Sequence, residues 1–408
     1  MRHRLGPGVT TTSRRWLSVD TGKPSRVPRL LAKSRSSTEK AIGKAVIDGI
    51  LQPRLGVQPD PDEYVRAAME WHFRPETGSP FWLNRAKTLD FDPLTEVKSF
   101  ADLSLFPNIV DELRDVAVED LIPRGLGPRP QVAGIFESGG TTGAPKRVVM
   151  FEEWLRFYFD WEHQYLVKAG IHEGLNLLGV VPSGPHFAGE IMTRYAQRRT
   201  GVKFTVDLDP RWVKVLVAQG RSQEADAYAE HVIDQVAEIL RTQDVGFMHI
   251  TPPLLHRLAR RDELVDLVNE KLTAMTWGGA HLDADSRHLY RTEVFPEVAF
   301  RCIYGSTMIL GCTVERLGLT DDDPCVCDPP SPYITFSVVD PETMNPVAYG
   351  ERGQVVMHHV SKYALLPNNL ERDVATRIQA PEGWVGDSVA DVVPVTSFGG
   401  KAVIEGVY

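Results

Sequence analysis

Cysteine is scarce in this sequence, long apolar runs are absent, and basic residues do not outnumber acidic ones. The four cysteines, Cys302, Cys312, Cys325 and Cys327, fit a reducing compartment better than a disulfide framework. No apolar stretch reaches membrane-spanning length, and the N-terminus lacks the apolar core of a signal peptide. The net charge of −9 gives no overall attraction to nucleic acid or to anionic membranes. These absences predict a cytoplasmic protein that binds neither nucleic acid nor membranes.

One end of the chain differs from the rest in composition. Residues 1–38 carry nine Lys and Arg against one acid, Asp20, among Ser, Thr, Gly and Pro. Such a segment cannot bury a core, which predicts a disordered tail, although a transit peptide or a nucleic-acid arm has a similar composition. The whole chain, with 408 residues and 42% hydrophobic content, is long enough for a large core or for two to three domains.

Strands and helices alternate regularly through the middle of the chain. The alternation predicts an α/β core over residues 39–330, with mostly parallel sheets flanked by helices and with ligands at the carboxyl ends of the strands. From Tyr333 onward, two alternating segments joined by turn residues predict a small β-rich subdomain over residues 331–408. The predicted strands of the core lie at residues 131–137, 147–151, 175–181, 202–206, 246–250, 274–277 and 300–304.

A glycine- and hydroxyl-rich loop lies between the first two predicted strands. It holds three glycines, three hydroxyl side chains and a terminal lysine within nine residues. Exposed backbone N–H groups, hydroxyls and one cation are the groups needed to hold a polyphosphate. The loop is not a Walker A motif, because the required Gly-Lys-Ser/Thr spacing is missing. Its residues are Ser138, Gly139, Gly140, Thr141, Thr142, Gly143, Ala144, Pro145 and Lys146.

This loop resembles the signature loop of the adenylate-forming superfamily, which includes acyl-CoA ligases, luciferases and peptide-synthetase adenylation domains. The resemblance implies that the loop grips the β- and γ-phosphates of ATP, with Lys146 among the catalytic groups. Two later motifs are similar to those of the same superfamily and occur in the same order. Gly279 and Ala280 match a turn that flanks adenine and the acyl group. The run Tyr304, Gly305, Ser306 and Thr307 matches a motif in which Tyr stacks on adenine and Thr contacts the α-phosphate.

Two further resemblances concern the acid and the ribose. His186 follows a predicted strand within Pro182–Phe187, where the superfamily places an aromatic residue or a histidine in the acyl pocket. A histidine there can orient the reacting carboxylate or neutralise its charge, although a rigid turn with a satisfied histidine has the same sequence. Asp387 ends a segment similar to the Gly-Asp motif, whose aspartate accepts hydrogen bonds from both ribose hydroxyls.

The chain departs from the superfamily pattern at the metal. Met308 stands where relatives carry a glutamate for Mg²⁺, and a thioether is a poor ligand for a hard cation. Glu315 is one substitute, and phosphate oxygens with water are another, so the metal ligand is left open. The four cysteines, with His358 and His359, could suggest zinc. Their spacing is not that of a standard zinc module, which favours a metal-free interpretation.

The sequence ends at Tyr408, shortly after Asp387, where relatives continue into a mobile domain that carries a catalytic lysine. We therefore expect the chain to represent the large domain alone, with the transition-state charge supplied by other groups or by a partner. The candidate groups are Lys146, Arg147, His186 and Lys401. Transfer of the acyl group to a thiol, which uses the mobile domain in relatives, is correspondingly disfavoured.

The chain resembles truncated phenylacetate-CoA ligase-like enzymes, and this resemblance predicts an ATP- and Mg²⁺-dependent adenylate-forming ligase. Its expected reaction joins a small aromatic carboxylic acid to AMP with release of pyrophosphate, in natural-product biosynthesis. One alternative is ATP-dependent activation of nitrite, for diazotisation or N-nitrosation of an aryl amine. Another is a catalytically inactive nucleotide-binding subunit. A homo-oligomer is left open.

Overall fold

The computed structural model describes residues 43–138 and 144–395, together with the backbone of residues 397–398 and 401–402. The described residues from 47 onward form one compact unit. The predicted basic tail, residues 1–38, lies outside the described residues, as do five residues of the predicted phosphate loop, Gly139, Gly140, Thr141, Thr142 and Gly143. Within the described residues, no helix combines the length and the apolar character needed to span a bilayer.

Short helices precede the first strand. Residues 43–51 form α1, and three helices that each begin with proline follow it. Proline suits the first helical position, and a preceding Asp or Ser side chain accepts a backbone hydrogen bond at each of the three starts. These helices are α2 (Pro61–Phe73), α3 (Pro80–Arg85) and α4 (Pro93–Glu96).

The central layer is a five-stranded parallel sheet flanked by helices, which confirms the predicted α/β fold. The strand order is β4-β3-β5-β6-β7, and a separate antiparallel hairpin of β1 and β2 flanks the predicted phosphate loop. The strands are β1 (Val132–Glu137), β2 (Arg147–Phe151), β3 (Leu177–Val180), β4 (Lys203–Thr205), β5 (Phe247–Ile250), β6 (Ala274–Gly278) and β7 (Ala299–Ile303). The helices are α5 (Glu152–Lys168), α6 (Phe187–Arg198), α7 (Pro210–Ala218), α8 (Ser222–Thr242), α9 (Pro252–Leu258), α10 (Asp262–Lys271) and α11 (Ala284–Leu289).

A six-stranded antiparallel sheet forms the C-terminal part of the described chain. Its order is β10-β11-β15-β12-β13-β14, so it already includes two short strands upstream of the predicted boundary at residue 331. Two further pairs are small hairpins, β8 with β9 and β16 with β17. The strands are β8 (Gly305–Ser306), β9 (Gly311–Cys312), β10 (Val314–Glu315), β11 (Val326–Asp328), β12 (Ile334–Val339), β13 (Arg352–Val360), β14 (Leu365–Gln379), β15 (Asp387–Pro394), β16 (Ser397–Phe398) and β17 (Lys401–Ala402).

Helix α5 packs the two parts together through buried aromatic side chains. The indole N–H of Trp154 donates to the Leu310 carbonyl oxygen at 2.8 Å. The indole also lies edge-on to the ring of His359, with 4.8 Å between the ring centroids. His359 is itself fully buried, with its ring nitrogens 2.8 Å from the Ile309 carbonyl oxygen and 2.7 Å from Ser361 Oγ. Both of its nitrogens are therefore used within the core, as buried polar groups require.

Candidate functional site

A cavity lies where the carboxyl ends of β6 and β7 face the antiparallel sheet. It encloses about 1110 Å³, part of it open to solvent. The carboxyl ends of parallel strands are the usual place for a ligand in such a sheet. Residues after β6 and β7 form one wall, namely Gly279, Ala280, Tyr304, Gly305 and Ser306. The structure thus brings two of the predicted motifs into one cavity.

Close backbone packing explains the small residues on this wall. A Cβ atom at Gly278 would lie 2.3 Å from the Ile303 carbonyl oxygen, and one at Gly305 would lie 2.6 Å from Cys312 Cα. Gly279 adopts a φ of +80°, which side-chain-bearing residues rarely do. The ends of β6 and β7 can therefore approach each other because Gly278 carries no side chain, and Gly305 allows β8 and β9 to approach in the same way.

Tyr304 is oriented by a carboxylate from the antiparallel sheet. Its hydroxyl donates to Asp373 Oδ2 at 2.9 Å, and its ring packs edge-on against Phe336. Burial and the charge of Asp373 both raise the pKa of the Tyr304 hydroxyl, so it stays protonated. Next to it, Ser306 Oγ accepts a hydrogen bond from the backbone N–H of Met308, and Thr307 is half-buried at the start of a short 3₁₀ turn.

Asp387 lies away from the cavity that contains Tyr304. It is 3% exposed, and its Oδ2 accepts from Arg377 Nε at 2.9 Å and from the Val338 backbone N–H at 3.2 Å. Burial raises its pKa even though Arg377 opposes this effect. Together with Arg377 and Tyr349 it lines a different cavity. Asp387 is thus separated from the other residues predicted to bind the nucleotide. It is the first residue of β15, and this strand reaches the Tyr304 cavity only at Asp391.

Strand β14 supplies charged residues that sequence reasoning missed. Glu371, Arg372 and Asp373 line the Tyr304 cavity, and Lys214 reaches it from α7, a helix that was not predicted. Burial, Arg372 and Arg211 together lower the pKa of Lys214 to about 8. Three consecutive charged residues between the apolar Leu370 and Val374 were a usable sequence signal for Glu371, Arg372 and Asp373. No sequence signal identified Lys214, because a helical pattern does not show which face of α7 meets the cavity.

The ends of the predicted phosphate loop are joined at the described residues. The Ser138 N–H donates to the Lys146 carbonyl oxygen at 2.9 Å, and the Lys146 N–H donates to Ser138 Oγ at 3.0 Å. Lys146 Nζ lies 3.1 Å from Asp111 Oδ1. Burial alone would raise the pKa of Asp111, but Lys146 and Arg114 lower it overall. Asp111 therefore stays ionised beside the cation of the loop.

His186 lies next to the base of this loop rather than in the Tyr304 cavity. The backbone N–H of Glu137, at the end of β1, donates to the carbonyl oxygen of Pro185 at 2.8 Å. His186 lines an open depression with Asp209 and Arg211. Burial and the nearby cations Arg211 and Lys214 lower its pKa, which keeps the imidazole neutral near pH 7.

Glu315, the residue suggested in place of the missing metal-binding glutamate, is not available to a hard cation. Both of its oxygens are already bound, and Met308 is buried. Glu315 Oε1 accepts from Arg291 at 2.6 Å and Oε2 accepts from the Cys302 N–H at 2.7 Å. The carboxylates that do line the cavity are those of Glu371, Asp373 and Asp391.

Comparisons with known proteins agree with this arrangement. Residues 221–361 match the model of the AMP-binding enzyme family, and this segment includes Gly279 and Tyr304. The structure of 2-hydroxyisobutyryl-CoA ligase in the postadenylation state has a TM-score of 0.53 and 14% identity, covering 81% of this chain and 66% of its own. The same ligase in an open conformation has a TM-score of 0.53 and 15% identity, covering 84% and 78%. No curated protein matches the chain in sequence.

The chain thus spans about two thirds of the ligase's length in the first of these alignments, 66%. At such low identity the structural likeness concerns the fold, while the family match concerns the sequence around the cavity. The predicted phenylacetate-CoA ligase-like subtype stays a prediction. The chain therefore shares the fold of 2-hydroxyisobutyryl-CoA ligase, and its residues 221–361 match the AMP-binding enzyme family.

Proposed function

We propose that the protein activates a small carboxylic acid by adenylation. A carboxylate oxygen of the acid attacks the α-phosphorus of ATP, the bond from that phosphorus to the bridging oxygen breaks, and pyrophosphate leaves with the electron pair. The product is an acyl-AMP. The observation that carries the proposal is the single cavity at the ends of β6 and β7, which combines the Tyr304–Asp373 pair with the cations Lys214 and Arg372.

The nucleoside would use one side of this cavity. Tyr304 supplies an aromatic ring for adenine, and Gly279 and Ala280 leave room for the base beside it. We assign the ribose hydroxyls to Asp373 rather than to Asp387. Asp373 already orients Tyr304 and lines the same cavity, whereas the carboxylate of Asp387 is bound to Arg377 in another part of the sheet.

The phosphates would use the cations. Lys214 and Arg372 line the cavity, and Ser138 and Lys146 form the base of the predicted phosphate loop. Positive charge held in place before the reaction stabilises the charge that develops on the phosphoryl oxygens. Lys146, Arg147, His186 and Lys401 stay predicted sources of that charge, and we add Lys214 and Arg372 to them. Thr307 stays a predicted contact of the α-phosphate.

Mg²⁺ fits the donor atoms that this cavity offers. The ion prefers oxygen ligands and usually binds through one or two carboxylates plus substrate phosphates. Glu371 and Asp391 supply such oxygens, whereas Met308 supplies a thioether. Bound there with ATP, Mg²⁺ would neutralise phosphate charge. We therefore propose carboxylates of β14 and β15 as its protein ligands.

We further propose that the acid is small and aromatic, as in natural-product biosynthesis. Trp277 lines the cavity and stacks on Phe300 at 6.1 Å between ring centroids. A flat aromatic ring can pack against this indole where it faces the cavity.

Pyrophosphate release with the full chain, ATP and Mg²⁺ tests the proposal. We expect one acid of an aryl and alkyl panel to trigger release and to be trapped as a hydroxamate by hydroxylamine. Adding coenzyme A in a parallel reaction reveals any thioester. Release that requires nitrite, with an aryl amine converted to a diazonium species, would instead establish nitrite activation. Tight ATP binding with no release for any substrate would identify a nucleotide-binding subunit.

A further inference from the structure

Three of the four cysteines converge on one point in the cavity wall. The sulfurs of Cys302, Cys325 and Cys327 all lie within 4.8 Å of one another. Cys302 belongs to β7, while Cys327 belongs to β11 and Cys325 immediately precedes that strand. All three are buried and none forms a disulfide. Residues 23 positions apart in the chain thus meet through the packing of the parallel sheet against the antiparallel one.

The distance between two of the sulfurs matches a tetrahedral metal ion. Zinc–sulfur bonds of about 2.3 Å in a tetrahedral site hold their sulfurs about 3.8 Å apart. Cys302 Sγ and Cys327 Sγ are separated by 3.8 Å. A disulfide would instead require about 2.05 Å. Cysteines that merely fill apolar space need not converge, and the fourth, Cys312, lies outside the group.

Two arginines lie beside the carboxylates that hold the cluster. Arg287 Nη1 is 3.9 Å from Asp391 Oδ1, which accepts from the Cys325 N–H, and Arg291 donates to Glu315 at 2.6 Å, whose other oxygen accepts from the Cys302 N–H. Arg287 is 5% exposed, and it is held by the Asp323 carbonyl oxygen at 3.0 Å. One divalent ion with three thiolates carries a net charge of −1, which these two cations can balance.

Outer hydrogen bonds hold the backbone of the cluster in place. The Cys302 N–H donates to Glu315 Oε2 at 2.7 Å, and the Cys325 N–H donates to Asp391 Oδ1 at 3.2 Å. Such contacts behind the ligands orient a metal site and are part of its construction. They also give Glu315 a role that does not involve Mg²⁺.

We propose that Cys302, Cys325 and Cys327 bind a zinc ion. All three residues line the Tyr304 cavity, so the fourth coordination position faces that cavity and takes water or a ligand atom. The ion would link β7 to β11 through Cys302, which lies two residues before Tyr304. The sequence spacing hid this site, because its ligands come from two strands rather than from one compact motif.

Metal content of the full chain tests the proposal independently of any catalytic activity. The protein is purified under reducing conditions without chelators, supplied with zinc, and passed through a desalting column. We expect about one zinc per chain by mass spectrometry of the metal. Cys325→Ser should lower the zinc content at least tenfold. Cys312→Ser, the matched control outside the cluster, should retain it.

Cobalt provides a second measurement on the unaltered chain. Cobalt bound by three thiolates should give intense thiolate-to-metal charge-transfer absorption and strong visible bands of a tetrahedral site, and zinc should displace both. This readout decides the question even if the serine variants do not fold. Failure of the reduced wild-type chain to take up zinc or cobalt would overturn the proposal. So would undiminished zinc in folded Cys325→Ser, or a disulfide within the cluster of freshly purified protein.

Discussion

At the scale of single residues, the cavity depends on which carboxylate faces Tyr304. Asp373 accepts its hydroxyl hydrogen bond at 2.9 Å, while Asp387 is paired with Arg377 at the same distance. Because the two carboxylates have different partners, their removal should have different effects. Asp373 should matter for the ligand, and Asp387 should matter for the folded state.

Exchanging each aspartate for asparagine separates these two roles. We expect Asp373→Asn to weaken ATP binding by about 1–3 kcal/mol, the range for a hydrogen bond to a charged group. Asp387→Asn should leave ATP affinity unchanged but lower the free energy of unfolding, because the Asp387 carboxylate is buried against Arg377. Calorimetric ATP titration and thermal unfolding of both variants measure the difference. If ATP binding weakened in Asp387→Asn but not in Asp373→Asn, Asp387 would be the residue that binds the ribose.

Lys214 gives a pH-dependent prediction. Burial and neighbouring cations lower its pKa to about 8, so it loses its charge as the pH rises through that value. If the charge stabilises the transition state, the adenylation rate should fall above about pH 8. Lys214→Ala should cost on the order of 10²-fold in rate, and Lys214→Arg should keep activity while removing this alkaline fall. An identical alkaline limb in Lys214→Arg would exclude Lys214 as its origin.

At the scale of elements, β6 and β7 are held together by contacts that exclude side chains. Gly278 pairs with Ile303 across the two strands, and a Cβ atom there would lie 2.3 Å from the Ile303 carbonyl oxygen. Backbone cannot yield as a flexible side chain can. A side chain at position 278 would therefore push β6 and β7 apart and change the shape of the cavity wall.

Gly278→Ala should accordingly destabilise the protein by about 1–3 kcal/mol through overpacking. Gly49→Ala is the matched control, because it lies in helix α1 with no atom within 4 Å of the added Cβ. Alanine there should be neutral or stabilise by about 0.5–1 kcal/mol. Urea unfolding of both variants measures the change in free energy. Equal stability of wild type and Gly278→Ala would show that the strands can separate at no cost.

At the scale of the whole molecule, buried ionisable groups set the pH dependence of stability. Burial raises the pKa of Glu162 in α5 to about 8, although the hydroxyls of Tyr195 and Tyr158 oppose this shift. Burial lowers the pKa of His249 and His358 to about 4. The carboxyl contributes stability that is complete below its unfolded pKa and is lost as pH rises through about 8. The histidines contribute stability that is lost as pH falls from about 6.5 through about 4.

Between about pH 6.5 and 8 only the Glu162 effect operates among these three groups. We expect the free energy of unfolding to fall with rising pH there, by at most about 1.4 kcal/mol per pH unit. Glu162→Gln should flatten this slope and leave the loss of stability at lower pH unchanged. Chemical denaturation across the pH range measures both. A slope that persists in Glu162→Gln would assign it to another group.

The sequence alone determined much of the fold and part of the site. The alternation of apolar runs with helical periodicity specified the strands of the parallel sheet to within a few residues, because such patterns are local. The same holds for Gly279, Ala280 and Tyr304, since residues that follow parallel strands meet at one edge of the sheet. The contiguous Ser138–Lys146 segment was likewise visible as a candidate loop, although its central residues lie outside the described ones.

Only the tertiary structure decided which distant residues complete the cavity. Asp373 rather than Asp387 faces Tyr304 because β14 and β15 pair in a register that brings Asp373 and Asp391 to the cavity and leaves Asp387 beside Arg377. Cys302 meets Cys325 and Cys327 because β7 packs against the antiparallel sheet. Lys214 enters because of where α7 lies. Each of these contacts joins residues far apart in the chain, and their energies depend on packing and burial that no local pattern encodes.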